Sequence, residues 1–214
     1  MAETNYKELI DFSKIKVCIV EKKTTVKYLA ESCELAASQL SQIIRNVSTP
    51  LTDVVARIAF TLGVPVSEIV DLKEIEPNGK QQEWFSKHEM KYKVPEDAKG
   101  ELTYAPLWEL IEGFLADVNR EKKDGEKLFT ADDIFNGIVP PRKKIGAKDT
   151  GVVEAWKARG YDDIEELKTR KRTTVGLSAL NRTKLKNDRS MSMRTIYEIC
   201  KKLGCSVDWV LSYK

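Results

Sequence analysis

Residues 36–45, AASQLSQIIR, carry the side chains with the clearest recognition chemistry in this sequence. Wound as a helix, they put Leu40 and Ile43, with Leu35 just before them, on one face, and leave Ala37, Ser38, Gln39, Gln42 and Arg45 on the other. A Gln amide offers a donor and an acceptor side by side, so Gln42 can pair bidentately with an adenine edge, and the Ala37 methyl can touch that of thymine. Ser38, Gln39 and, upstream, Thr25 suit phosphate and sugar oxygens. A solvated face of two Gln and one Arg is the plainer reading of the same helix.

Nucleophilic and metal chemistry find little support. The only histidine, His88, sits without a partner nearby in sequence and reads as a surface residue. There is no Gly-rich phosphate loop, and no cysteine pair has the spacing of a zinc knuckle. Cys18, Cys33, Cys200 and Cys205 read as buried, reduced thiols acting as small apolar groups. Asp162, Asp163, Glu165 and Glu166 read as helix-start carboxylates that favour the dipole. The expectation is a binding protein, not an enzyme, with no cofactor and no metal.

The elements that must hold this face lie within residues 24–70. A short helix carries Leu29 and Ala30 and ends near Cys33, and a tight turn at Glu34 and Leu35 leads into the helix of residues 36–45. After Ser48-Thr49-Pro50, Val54, Val55, Ile58, Ala59 and Leu62 recur at helical spacing, and Gly63 stands where a left-handed cap closes a helix. Phe12, Ile15, Cys18 and Ile19 supply an earlier helix. Two short helices joined by a tight turn and braced by others make a helix-turn-helix, a DNA-reading motif.

Residues 24–70 resemble the Cro-type, lambda-repressor-like (XRE) helix-turn-helix family. The positions that carry the resemblance are Thr25, Leu29-Ala30-Glu31, Leu40, Ser41, Ile43, Arg45, Pro50, Ile58-Ala59, Leu62-Gly63-Val64 and Glu68-Ile69. With residues 12–23 as the first helix, it covers about a third of the chain. Glu34 replaces the usual turn glycine, and Asn46 replaces the glycine after the second helix while still tolerating positive φ. The resemblance implies that the helix of residues 36–45 is a recognition helix, with Ala37, Ser38 and Gln42 at base-edge positions.

The chain has 214 residues, 42% hydrophobic and 32% charged, enough for one or two cores in a soluble protein. No apolar run reaches the ~20 residues of a membrane span, and the N-terminus lacks the pattern of a secretory signal, so a cytoplasmic location is expected. Net charge is +3, unevenly spread: −1 over residues 1–75, −2 over 76–150 and +6 over 151–214. Phosphate attraction dominates non-specific nucleic-acid affinity, which makes the last third the more electropositive candidate surface.

Residues 76–100, punctuated by Pro77, Gly79, Pro95 and Gly100, read as a linker, with Trp84 and Phe85 packing on a domain. Residues 104–119 read as an amphipathic helix, and its opening 103–108 looks like the first helix of another repressor-like module. A capping-box start at Thr130 and Asp133, a break at Pro140-Pro141, and a helix over 151–160 follow. The basic run 168–172, which includes Lys171 and Arg172, reads equally as a solvated loop or as a phosphate contact.

The chain then repeats itself. Residues 192–211, SMRTIYEICKKLGCSVDWVL, align with 51–70, LTDVVARIAFTLGVPVSEIV, at a constant offset of 141, pairing Ile58 with Ile199, Leu62 with Leu203, Gly63 with Gly204 and Val66 with Val207. Upstream, 176–188 resembles the recognition segment of the same superfamily. Arg182 takes a usually apolar place there, and Ser178, Ala179, Thr183 and Lys184 are its candidate readers.

These readings combine into an all-α protein: an N-terminal lambda-repressor-like helix-turn-helix domain over 1–75, a linker over 76–100, and a helical region over 101–214 that ends in a divergent helix-turn-helix-like module. The expected function is sequence-specific DNA binding as a transcriptional repressor of phage or mobile-element type, with its own gene as one candidate target. The expected partners are a double-stranded operator and a second copy of the chain. The alternative is an anti-CRISPR-like protein-binding inhibitor, which would bind a host or phage protein through residues 101–214 and use its helix-turn-helix domain on its own promoter. Trp84, Trp108, Phe114 and Trp156 motivate that alternative.

Overall fold

The computed structural model describes residues 6–75, 79–120 and 179–214, together with 122, 128, 130 and 131. These residues are rich in helix and form two units of the same plan. In the first, α1 (Tyr6–Leu9) and β1 (Ile10–Asp11) lead into α2 (Lys14–Glu21), α3 (Val26–Ser32), α4 (Ala37–Ile44) and α5 (Thr52–Leu62). A 3-10 turn, η1 (Val66–Glu68), and β2 (Asp71–Leu72) complete it. Thr25 starts α3 by accepting from the Tyr28 amide at 3.1 Å, which satisfies one otherwise orphaned donor. Gly63 ends α5 at φ 64°, and the turn frees the chain to bury Val64 and Val66. Phe12, Ile15, Leu29, Leu40, Ile43, Ile58 and Ile69 are all buried, so each helix contributes its apolar stripe to one core.

Apart from α3, which has no counterpart among the described residues, the second unit repeats this with different side chains. β3 (Leu102–Thr103) and α7 (Ala105–Arg120) correspond to β1 and α2, and β4 (Ser212–Tyr213) to β2. The strand registers fix the correspondence: Ile10 pairs with Leu72 and Asp11 with Asp71, as Leu102 pairs with Tyr213 and Thr103 with Ser212. The offset is thus 92 at the start of the unit and 141 at its end. Buried Phe12, Ile15, Cys18 and Ile19 are matched by buried Tyr104, Leu107, Leu110 and Ile111. α8 (Ala179–Lys186), α9 (Met193–Leu203) and η2 (Val207–Trp209) match α4, α5 and η1. Gly204, at φ 62°, ends α9 as Gly63 ends α5.

The described residues are mostly helical, in line with the expected all-α class, with two small ladders added. Each unit is closed by a two-residue antiparallel ladder joining the residues before its first long helix to those after its 3-10 turn. Pairs this short leave no periodic pattern to read, because alternation needs several residues to show. The helix expected over residues 151–160, the acidic group at 162–166 and the basic run at 168–172 lie outside the described residues. Among the described residues, no helix is long and apolar enough to cross a membrane.

The units meet through like positions. Leu51 and Ser192, 141 apart, form an isolated antiparallel bridge. Ser67 and Asp208, also 141 apart, are joined where the Ser67 amide donates to Asp208 Oδ1 at 2.9 Å. A contact of each position with its own counterpart is the mark of a two-fold axis, here an approximate one within a single chain. Around it, Thr52 and Tyr104 are fully buried. The Met191 amide donates to Thr52 Oγ1 at 2.9 Å, the two hydroxyls are 2.8 Å apart, and Tyr104 donates onward to the Arg189 carbonyl at 3.2 Å. Burial raises the Tyr104 hydroxyl far above its ordinary pKa, so it stays a neutral donor.

Further contacts cross the same boundary. Phe60 of α5 meets Tyr213 edge-on, with ring centres 5.6 Å apart, and Tyr213 donates to the Val64 carbonyl at 3.3 Å. Tyr6 bonds Glu198 at 2.6 Å and lies beneath Arg194. The stretch read as a linker carries α6 (Gly79–Lys87). Its Trp84 packs on Phe114 with ring centres 4.4 Å apart and donates to Asp117 at 3.1 Å, and Phe85 packs on Trp209. His88 is not the partnerless surface residue expected: it stacks on Trp84 at 3.9 Å, and its Nδ1 lies 2.8 Å from the Trp84 carbonyl.

Thr52→Val keeps the shape at the boundary and deletes the hydroxyl, which strands the Met191 amide. The expected cost is about 1–3 kcal/mol, seen as a melting point lower by roughly 2–10 °C. Thr52→Ser, which keeps the hydroxyl, should lose less by the same thermal measurement.

Candidate nucleic-acid interface

The candidate face of the first unit is set by what α4 buries. Leu40 and Ile43 are buried and Leu35 half-buried, which turns Ala37, Ser38, Gln39, Gln42 and Arg45 to solvent. None of Ala37, Ser38, Gln39 and Gln42 makes a side-chain hydrogen bond to another described residue. Ser41 is folded back, its hydroxyl donating to the Ala37 carbonyl at 2.8 Å, and Arg45 Nε donates to the Ser41 carbonyl at 3.2 Å. Ala36 precedes α4 in an extended conformation and has no side chain able to cap it. The first-turn amides of α4 therefore lack a side-chain acceptor beside the exposed Ser38 and Gln39, an arrangement open to an anionic oxygen.

Two residues of unusual backbone hold α4 in place. Glu34 turns the chain between α3 and α4 at φ 55°, where a glycine would be easier. Its carboxylate reaches Arg57 Nη1 at 3.0 Å, an exposed pair that adds little to stability. Asn46 follows α4 at φ 57°, a conformation Asn tolerates. Its Oδ1 accepts from the Phe12 amide at 2.9 Å and its amide donates to Asp11 Oδ1 at 2.7 Å, which pins the end of α4 to the start of α2. Donation by the Ser13 amide, and then by Asn46, holds the Asp11 carboxyl below its ordinary pKa.

The second unit solves the same problem with reversed polarity. Asp188, at φ 48°, takes the place of Asn46 and accepts from the Tyr104 amide at 2.9 Å. Where Asp11 accepts in the first unit, Thr103 donates in the second, its hydroxyl 3.3 Å from Asp188 Oδ1. Lys214 closes on Asp188 Oδ2 at 2.6 Å. The offset at this turn is 142, so buried Ile43 corresponds to buried Leu185, and Gln42 to Lys184. With an offset of 92 at the first helix and 142 here, fifty residues are inserted between the first helix of this unit and α8.

The structure thus brings Ala37, Ser38, Gln39, Gln42 and Arg45 onto one exposed face. Thr25 stands apart from them in role, as the cap of α3. Ala179, Thr183 and Lys184 share α8, with Thr183 exposed and Lys184 half-buried. Lys171, Arg172 and Ser178 lie outside the described residues. Lys186, within the recognition-like segment, and Arg189, just beyond it, are both exposed at the end of α8. The offset of 142 places both beside Asp188, the counterpart of Asn46. Trp108, whose Nε1 donates to the Leu185 carbonyl at 3.4 Å, braces α8 from behind.

Protein-family models, curated proteins and solved structures offer no match to this chain. The reading of the site rests on its own geometry. Among the described residues, no group of His, Cys, Asp or Glu is arranged to hold a metal. The four cysteines are free and buried, and burial pushes the thiols of Cys18, Cys33 and Cys200 upward, away from reactive thiolate.

Asn46→Asp would set a second carboxylate against Asp11. The expected loss is about 1.5–3 kcal/mol at pH 7. Asp11, with its pKa lowered in the fold, contributes stability above its unfolded pKa that fades as pH falls through the folded value. The penalty in the variant should therefore shrink near pH 4, where one carboxyl protonates and can donate. Chemical denaturation at the two pH values checks this.

Proposed function

We propose that this protein is a sequence-specific DNA-binding regulator of the Cro-type helix-turn-helix kind, with α3 and α4 as the motif and α4 as the recognition helix. The observation that carries the reading is the α4 face: Ala37, Ser38, Gln39 and Gln42 are exposed together and make no side-chain hydrogen bond to other described residues. A helix of this width fits the major groove, where a Gln amide reads adenine and a methyl reads thymine. The uncapped first turn of α4 adds amides for a phosphate, and Thr25 stands at the start of the neighbouring helix. Occupancy of an operator that overlaps a promoter would make the protein a repressor, and its own upstream DNA is the first operator to try.

Of the aromatic residues that motivate the protein-binding alternative, Trp84 and Trp108 are partly buried and already have partners, and Trp156 lies outside the described residues. Trp84 and Trp108 are spent on Phe114 and the Leu185 carbonyl.

Gln42→Ala should leave the melting point within about 1 °C of the parent, since the side chain is exposed. It should weaken binding to the preferred duplex about tenfold or more while sparing non-specific binding. A salt-titrated gel shift on the gene's upstream DNA measures both. Equal loss on all sequences would show that Gln42 touches only the backbone, and no specific shift would remove the self-operator.

A further inference from the structure

The inference here rests on the DNA-binding reading above and extends it to the second unit. We propose that the second unit stands in for a second copy of the protein, so that one chain spans two unlike half-sites, with α4 reading one and α8, through Lys184, reading the other.

The first support is the way the units meet. In a two-fold homodimer, residues on the axis touch their own copies. Here Leu51 touches Ser192 and Ser67 touches Asp208, each pair 141 apart, so the self-complementary surface is already covered from within the chain. The homodimer expected from a lone module is in this way met by one polypeptide.

The second support is placement. Rotation about a two-fold leaves direction along its axis unchanged, so α4 and α8 share whatever tilt they have along that axis. Both lie close to it in the chain. Leu51, on the axis, is seven residues past the end of α4, and Ser192 is six past the end of α8. Extended chain reaches at most about 3.5 Å per residue, so the helix ends lie within about 50 Å of each other. That range includes the ~34 Å between successive major-groove half-sites on one face of a duplex.

The third support is the chemistry of the readers. Gln42 and Lys184 occupy the same place, counted from the buried pair Ile43 and Leu185 and from the turn residues Asn46 and Asp188. A Gln amide matches adenine, whereas a lysine ammonium, which only donates, matches the two acceptors of guanine. The α4 segment, ASQLSQII, carries no charge, but ALNRTKLK of α8 carries three cations and no acid. Exposed Lys186 and Arg189 add phosphate contacts on that side. The preferred operator is therefore asymmetric, with an adenine-bearing half under α4 and a guanine-bearing half under α8.

The test uses the full chain and a pool of duplexes with a randomised centre, selected by binding, sequenced, and weighed as complexes by sedimentation. The expected result is one chain per duplex on a site of two unlike halves, about ten base pairs apart. Gln42→Ala should erase preference in one half only, and Lys184→Ala in the other, each weakening binding about tenfold or more. Lys184→Gln should change the guanine half toward adenine and make the halves alike. A symmetric site holding two chains, or a single half-site untouched by both Lys184 variants, would overturn the inference while leaving the DNA-binding reading intact. Enrichment of no duplex at all would overturn both.

Discussion

The rest of the molecule depends on the boundary where Leu51 meets Ser192 and Ser67 meets Asp208. Each unit alone is a few short helices around a small core, a size at which apolar burial only narrowly offsets chain entropy. Joined, they share one continuous core that includes fully buried Tyr104 and Tyr197 along with Ile58, Leu107 and Ile196. The hydrogen-bonded chain from Met191 through Thr52 and Tyr104 to Arg189 satisfies polar groups that this burial would otherwise leave stranded. Tyr104 illustrates the divergence. Its counterpart Phe12 has no hydroxyl, and its partner Thr52 has a methionine, Met193, for a counterpart, so this network exists on one side of the axis only.

The two turns that follow α4 and α8 show how a constraint can persist while its chemistry reverses. Both need a residue at positive φ, and both need that residue's side chain to accept from the amide that opens the first long helix. Asn46 meets the need as a neutral amide and spends its spare donor on Asp11. Asp188 meets it as an anion and takes donors from Thr103 and Lys214. Either pairing is complementary, and an exchange on one side only would bring like groups together. The orientation of each candidate reading helix is fixed by this joint and by the apolar face beneath it, leaving its outer face free to vary. That freedom is what the contrast between uncharged α4 and cationic α8 displays.

If both faces meet DNA, they do so by different forces. The α4 face offers amides, a hydroxyl, a methyl and the single cation of Arg45, which together discriminate bases more than they attract phosphate. The α8 side offers cations, which attract phosphate strongly and weaken as salt rises. A chain built this way would hold one half-site mainly by fit and the other largely by charge.

Much of this architecture is legible in the residues themselves. The 3.6-residue spacing of Leu40 and Ile43, and of Val55, Ile58, Ala59 and Leu62, marks buried faces and so also marks Gln42 as exposed. Gly63 and Gly204 mark helix ends because only a left-handed residue closes them cheaply, and the offset of 141 marks a repeat because apolar positions and glycine coincide. Such patterns survive in sequence because each is local. What the sequence leaves undecided is non-local. An offset of 141 says that two segments fold alike, but not that like positions touch, which depends on surfaces assembled from several helices at once. The ladders of β1 with β2 and β3 with β4 are two residues long and join segments sixty or more residues apart. His88 reads as solitary because Asp117 reaches it only through the packing of α6 on α7, and because Trp84, one helical turn earlier, stacks on it only in the folded form. Periodicity records which face of an element is buried, and only the tertiary structure decides against what.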